Sequence, residues 1–178
     1  MLPILLLLLL TGIWFALPHL PGLLGFAKEE TGAPEALPPS AFRSSGAASG
    51  HGASAAFDGF NNRYWAVRET GDGAGEYLEC DFAQPVRTLK MVVFSGTSAR
   101  KDEFLTQARP ARITVVLTSK DGKETRRTIP LKDQAGQQTF DTRGTDIVRV
   151  RLTVDSAFGT GKGRRVAVAE VEFFGHRS

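Results

Sequence analysis

One cysteine, Cys80, is all that the 178 residues contain, so no disulfide can close within the chain and stability must come from packing. With only His19, His51 and His176 beside it, a Cys/His zinc cluster has no ligand set. Catalytic punctuation is also missing. There is no Gly-x-Ser-x-Gly elbow and no pair of closely spaced histidines, and the glycine run from Gly71 to Gly75 is not followed by a helical pattern that would make it a phosphate cradle. These absences argue against a nucleophilic or nucleotide-dependent enzyme. No basic stripe interleaved with aromatics exists, which excludes the usual nucleic-acid surface. One lysine and three glutamates precede Ser40, leaving 21 basic and 16 acidic residues scattered through the rest, a weak bias toward anionic partners.

Charge is absent altogether from Leu2 to Phe26, 25 positions, enough to cross a bilayer core of about 30 Å. Residues 1–27 are therefore expected to be a membrane anchor holding a single-pass protein with an extracytoplasmic domain. The rival is a cleaved secretory signal, with Gly25 and Ala27 as the small residues of a cleavage site and a secreted product. No basic flank precedes the run, so orientation has no charge signal. Residues 28–40 turn acidic and then rich in Gly, Ala and Pro, including Pro34, Pro38 and Pro39, and are expected to be an extended spacer.

From Ala41 the hydrophobic period is two. Leu78, Cys80 and Phe82 alternate with Tyr77, Glu79 and Asp81, which places the first set inward and the second outward, and makes Cys80 a small buried thiol. Pro85 separates this strand from an apolar one over 89–94. Ile113, Val115 and Leu117 line a third, turning at Asp121-Gly122, where both residues accept a left-handed conformation. The return strand, 124–131, contains Pro130 and belongs at an edge. Val148, Val150, Leu152 and Val154 alternate with Arg149, Arg151 and Thr153, and 166–174 forms the last strand. No helical period appears after Phe26. The domain, 41–178, is expected to be all-β and antiparallel.

Particular stretches carry a resemblance. Ala56-Phe57-Asp58-Gly59-Phe60-Asn61-Asn62-Arg63-Tyr64-Trp65 places an acid–glycine turn a few residues before a tryptophan. Arg43-Ser44-Ser45, Glu76 to Phe82 with Pro85 after it, Arg109-Pro110, and the closing Ala169-Glu170-Val171-Glu172-Phe173-Phe174-Gly175 follow in order. Together, over 41–176, they resemble the discoidin-like (coagulation factor 5/8 C type) modules, closest to the bacterial glycan-binding branch named after NAD-glycohydrolase toxins. The resemblance implies a galactose-binding-like antiparallel jelly-roll sandwich. It also implies a non-catalytic binding role toward glycan or cell-wall polymer, the alternative partner being a membrane protein for which the sandwich acts as an adaptor. The vertebrate cysteine pair and bulky hydrophobic spikes are missing here, and Arg63 stands where many members have Thr.

Candidate site residues follow from this reading. Ca²⁺ takes carboxylates plus carbonyls of a tight loop, and the resemblance assigns Asp58 and Glu170 as its side-chain ligands, with carbonyls of residues 60–63. The structural alternative has Asp58 capping its own turn and Glu170 on an outer face. Specificity in sandwiches falls to end loops, here 46–54 and 95–107. His51, Arg100 and Asp102 are expected to hydrogen-bond a ligand's hydroxyl groups, and Phe104 to offer a stacking face. Trp65 is expected in the core, with Tyr64 opposite.

Overall fold

Successive side chains of a strand point to opposite faces. The computed structural model of the protein, which describes residues 32–177, closes the inward sets on one hydrophobic interior. Its strands are β1 (Glu35–Ala36), β2 (Ala41–Ser44), β3 (Trp65–Ala66), β4 (Tyr77–Ser95), β5 (Arg109–Ser119), β6 (Glu124–Pro130), β7 (Gln137–Phe158) and β8 (Ala167–Arg177). They order as β1-β8-β4-β7-β5-β6, with β2 on β4 and β3 on β8, and every ladder is antiparallel. The described helical pieces are a 3₁₀ turn, Ala53–Ala56, and a single-turn helix α1, Lys101–Phe104.

Two strands run through both layers. Residues 78–81 of β4 pair with β2 and 77–81 with 149–153 of β7, whereas 86–94 pair with β8 and with the first part of β7. One layer is thus β2-β4-β7-β5-β6 and the other β1/β3-β8-β4-β7. Pro85 lies in the register break between Asp81 and Val86, where the ladder needs no donor from it. What reads as two strands is one bent one. Between the layers Trp65, Leu78, Met91, Leu117, Val150 and Phe173 are fully buried, each contributing roughly 1.5–3 kcal/mol of transfer free energy.

Several expectations change. Of the stretch read as spacer, residues 34–40 are part of the compact unit: Glu35 and Ala36 pair with Gly175 and Phe174, and the Leu37 side chain enters the core. The edge of β8 offered unpaired backbone groups, and a leucine was available to cover the core beneath it. The anchor or signal expected over residues 1–27 lies outside the described residues. Among the described residues no helix is long and apolar enough to cross a membrane.

Pro130 does mark an edge, since β6 pairs with β5 alone. At the hairpin before it only Gly122 is left-handed (φ 81°), not Asp121. The Gly122 amide donates to Ser119 O at 2.9 Å and the Ser119 amide to Lys123 O at 3.0 Å. That is a three-residue loop closed by a glycine bulge, which needs one left-handed residue instead of two. In β7, Asp146 takes a positive φ of 55°, so the inward set starts at Ile147 and resumes at Val150, leaving Val148 half-buried. Leu78, Cys80 and Phe82 are inward as expected, and burial pushes the Cys80 thiol well above its ordinary range. Glu79 points outward yet is buried, because Arg43, Arg149 and Arg151 close over its carboxylate.

Candidate functional site

The loops joining β2 to β3, β4 to β5 and β7 to β8 meet at one end, and short polar contacts fix them there. Asp58 Oδ1 accepts the Phe60 amide at 2.9 Å, and Gly59, at φ 80°, supplies the left-handed step that brings the chain back. Trp65 closes the segment, its ring in the core and its Nε1 donating to Gly46 O at 3.0 Å, which ties the 46–54 loop to the turn. Ala66 N donates to His51 O at 3.2 Å. The His51 imidazole lies flat on the Tyr64 ring, centroids 4.0 Å apart and planes 18° from parallel. Three residues before Tyr64, Asn61 O accepts the Ala99 amide at 3.0 Å, which joins this turn to the 95–107 loop.

That second loop is built around Arg109. Its guanidinium forks onto Asp133 with two bonds of 2.8 Å, donates to Gln107 O at 3.0 Å and lies over the Phe104 ring at 5.1 Å. Gly159 passes so close that a Cβ there would meet Arg109 Nη1 at 2.3 Å. Gln107 Oε1 in turn accepts the Arg165 amide at 2.7 Å, binding in the β7–β8 loop. On the rim of α1, Arg100 donates to Asp102 Oδ2 at 2.8 Å and both side chains are about two-thirds exposed. The Arg100 guanidinium beside it holds the Asp102 carboxyl below the usual carboxylate range.

Arg100 and Asp102 are thus exposed and His51 half-buried, on loops linked through the turn of Tyr64 and Asn61 and through Ala99. Phe104 does not join them. It is 3% exposed, sandwiched between Arg109 and Gly96, where a Cβ would strike its ring at 2.8 Å. A buried Phe104 offers no stacking face, and the exposed apolar side chain of this loop is its neighbour Leu105. The accessible aromatic side chains at this end are instead the half-buried, stacked His51–Tyr64 pair and Phe60, 56% exposed on the same turn. Alternation beside Trp65 was the one sequence signal pointing to Tyr64.

Asp58 and Glu170 do come together. Glu170, on β8 opposite Phe94, is 2% exposed, and its Oε2 has no hydrogen-bond partner. Alternation with Val171 and Phe173 puts it on the outward side of β8, as expected, but the turn at Asp58 to Phe60 covers it, so it is not solvated. Burial first, then the charges of Asp58 and Glu172, push its pKa up to about 8 against the pull of the Gly59 and Phe60 amides. Both carboxylates line a cavity of about 270 Å³. Arg63 reaches Asp58 Oδ2 at 3.4 Å from a mostly exposed position, its guanidinium 5.2 Å from the Phe60 ring centroid, and leaves Glu170 Oε2 unpaired. An orphaned buried carboxylate oxygen beside a second carboxylate and a tight turn fits a hard cation. Among the described residues no cluster of three or more His, Cys, Asp or Glu exists, so the rest of such a shell would be main-chain oxygen and water.

Known proteins resemble this one mainly in fold. No curated protein matches the chain in sequence. Among solved structures, the family 32 carbohydrate-binding module of NanJ from Clostridium perfringens, in complex with galactose, superposes with a TM-score of 0.64 at 16% identity, over 80% of this chain and 99% of that one. Another family 32 module, CBM32-3 from a family 31 glycoside hydrolase of the same organism, gives 0.63 at 15% identity, over 79% and 94%. The lectin-binding domain of Lectinolysin, complexed with Lewis b, gives 0.59 at 15%, over 79% and 96%. The sandwich is therefore of the discoidin-like kind. In sequence, residues 32–174 match the family model described as the NAD glycohydrolase translocation F5/8 type C domain, most of the chain, and it is to that family that the protein belongs.

Proposed function

We propose that the protein is a non-catalytic module that binds glycan or cell-surface polymer at the loop end of its sandwich, held outside the cytoplasmic membrane by its first 27 residues. The observation that carries the binding role is the tying of the 46–54 loop to Ala66 and of the 58–64 turn to the 95–107 loop by main-chain hydrogen bonds, which holds a stacked His51–Tyr64 pair and a paired, exposed Arg100–Asp102 on one set of linked loops. A ring pair of this kind gives a sugar face somewhere to rest. A charged pair gives its hydroxyl groups both donors and acceptors stronger than neutral ones. The relatives in fold named above are carbohydrate-binding modules and a lectin domain, solved with galactose and Lewis b among their ligands, which supports the same reading. Preorganised loops reduce the ordering cost, yet one shallow site still implies weak binding, on the order of millimolar to micromolar.

In this reading Asp58 and Glu170 hold Ca²⁺. The ion would neutralise the buried carboxylate and brace the turn that carries Tyr64, a structural role with no chemical step. The test is a glycan and cell-wall-polymer screen followed by calorimetry of His51→Ala, Tyr64→Ala and Asp102→Ala. Each is expected to weaken binding tenfold or more with a melting temperature within about 2 °C of the parent. A ligand bound equally by all three variants would place the site elsewhere.

A further inference from the structure

A groove of about 350 Å³ crosses the outer face of the β2-β4-β7-β5-β6 layer, away from the loops just described. Register orders its lining residues, together with Arg43, Tyr77 and Thr128 that flank them, in rows across the strands. Arg43, Glu79, Arg151, Val116 and Arg126 stand side by side in one row. The neighbouring row is Tyr77, Thr153, Thr114 and Thr128. From β4 to β6 the groove spans three strand spacings, about 14 Å.

The guanidiniums in it are held in a specific way. Arg151 donates through Nε to the buried Glu79 carboxylate and lies over the Tyr77 ring at 4.2 Å. Arg149 donates through Nε to Asp81 at 2.7 Å. Each is pinned at one nitrogen, and the Nη groups of both donate to no described residue. The guanidinium of Arg126, exposed on the edge strand β6, has no hydrogen-bond or ion-pair partner among the described residues. Asp155 accepts Thr114 Oγ1 at 2.9 Å and keeps further acceptor capacity.

These groups define what fits. Three arginines (126, 149, 151) face three carboxylates (Glu79, Glu124, Asp155), so the groove carries no net charge and gives no electrostatic gain to a polyanion. Its one aliphatic side chain is Val116, 9% exposed, which gives a protein partner no apolar pocket for an anchor. What remains is a dense, pre-oriented alternation of donors and acceptors on a rigid sheet. Adjacent hydroxyl groups, each both donor and acceptor, match it. We propose that this face is a binding cleft for a neutral, hydroxyl-rich saccharide chain laid across β7, β5 and β6. It is independent of the loop-end site.

The test is native affinity electrophoresis of the full chain through gels containing hydroxyethylcellulose, galactomannan or polygalacturonate, comparing Arg126→Ala and Thr153→Val with His51→Ala. Both sheet substitutions are at surface positions and are expected to leave the melting temperature unchanged. The expected result is retardation by at least one neutral polymer, weakened fivefold or more by each sheet variant and kept by His51→Ala. Retardation by neither neutral polymer, or by polygalacturonate alone, overturns the cleft. So does retardation that His51→Ala removes and the sheet variants retain, which would leave the loop-end reading standing.

Discussion

Glu170 is a carboxylate that the fold buries beside Asp58 without giving its Oε2 a donor, and that has a thermodynamic consequence. Its pKa is raised from an ordinary 4.5 to about 8, so between those values the folded chain holds a proton that the unfolded chain has released. Stability then falls as pH rises through that window. Asp81 shifts the other way, because Arg43 and Arg149 outweigh its burial, and its effect is confined to acid below the ordinary aspartate value. In chelator-treated protein the melting temperature is expected to drop by about 4 °C or more from pH 5.5 to 8.5. Excess Ca²⁺ should recover the loss at pH 8.5 by mass action, and Glu170→Gln should flatten the profile and abolish the Ca²⁺ response. A level profile in the stripped parent protein would contradict the buried charge. The juxtaposition of Asp58 and Glu170 came from the family resemblance of the turn and the closing strand, since the residues alone also allowed Asp58 simply to cap its own turn. The burial of Phe104 was not, because a loop has no period and only the packing of Arg109 and Gly96 around that ring decides which way it points.

Among the elements, the loop bearing α1 depends less on its own sequence than on β5. Arg109 is 4% exposed and reaches three segments: Asp133 before β7, Gln107 and Phe104 in the α1 loop, and Gly159 after β7. Lysine would keep the charge and lose the fork. Arg109→Lys is expected to cost about 2–3 kcal/mol and to speed amide exchange in 97–107, 131–136 and 159–165 together. Faster exchange in one of these segments alone would show that Arg109 does not couple them. Strand composition was readable wherever one face is buried, as in Leu78, Cys80 and Phe82. Strand length was not, since β4 continues past Pro85 and β7 past its Asp146 bulge only because partners on both sides carry the ladder across. Arg149 and Arg151 read as an ordinary solvated face, and Glu79 with them. Their closure over one carboxylate follows from register, which period-two patterning does not disclose.

For the molecule as a whole, the period-two runs and the closing Ala169 to Gly175 stretch carried the fold class, and the matched family model begins near the first described residue. The compact unit holds its own core from Leu37 to Phe173. Leu2 to Phe26 offers 25 uncharged positions, which suit a hydrocarbon layer of about 30 Å. Transfer of so many leucines to lipid is far more favourable than their exposure to water, whereas a peripheral protein held by charge releases when its contacts are titrated away. Carbonate washing at high pH separates the two cases. The full chain is expected to stay with the membrane pellet through the wash, and a form lacking residues 1–27 to appear in the supernatant with an unchanged melting temperature. Recovery of the chain at full mass in the soluble fraction would refute the anchor. A secreted form starting near Lys28 would instead assign the same stretch to export, and the sandwich would then meet its ligand free of any tether.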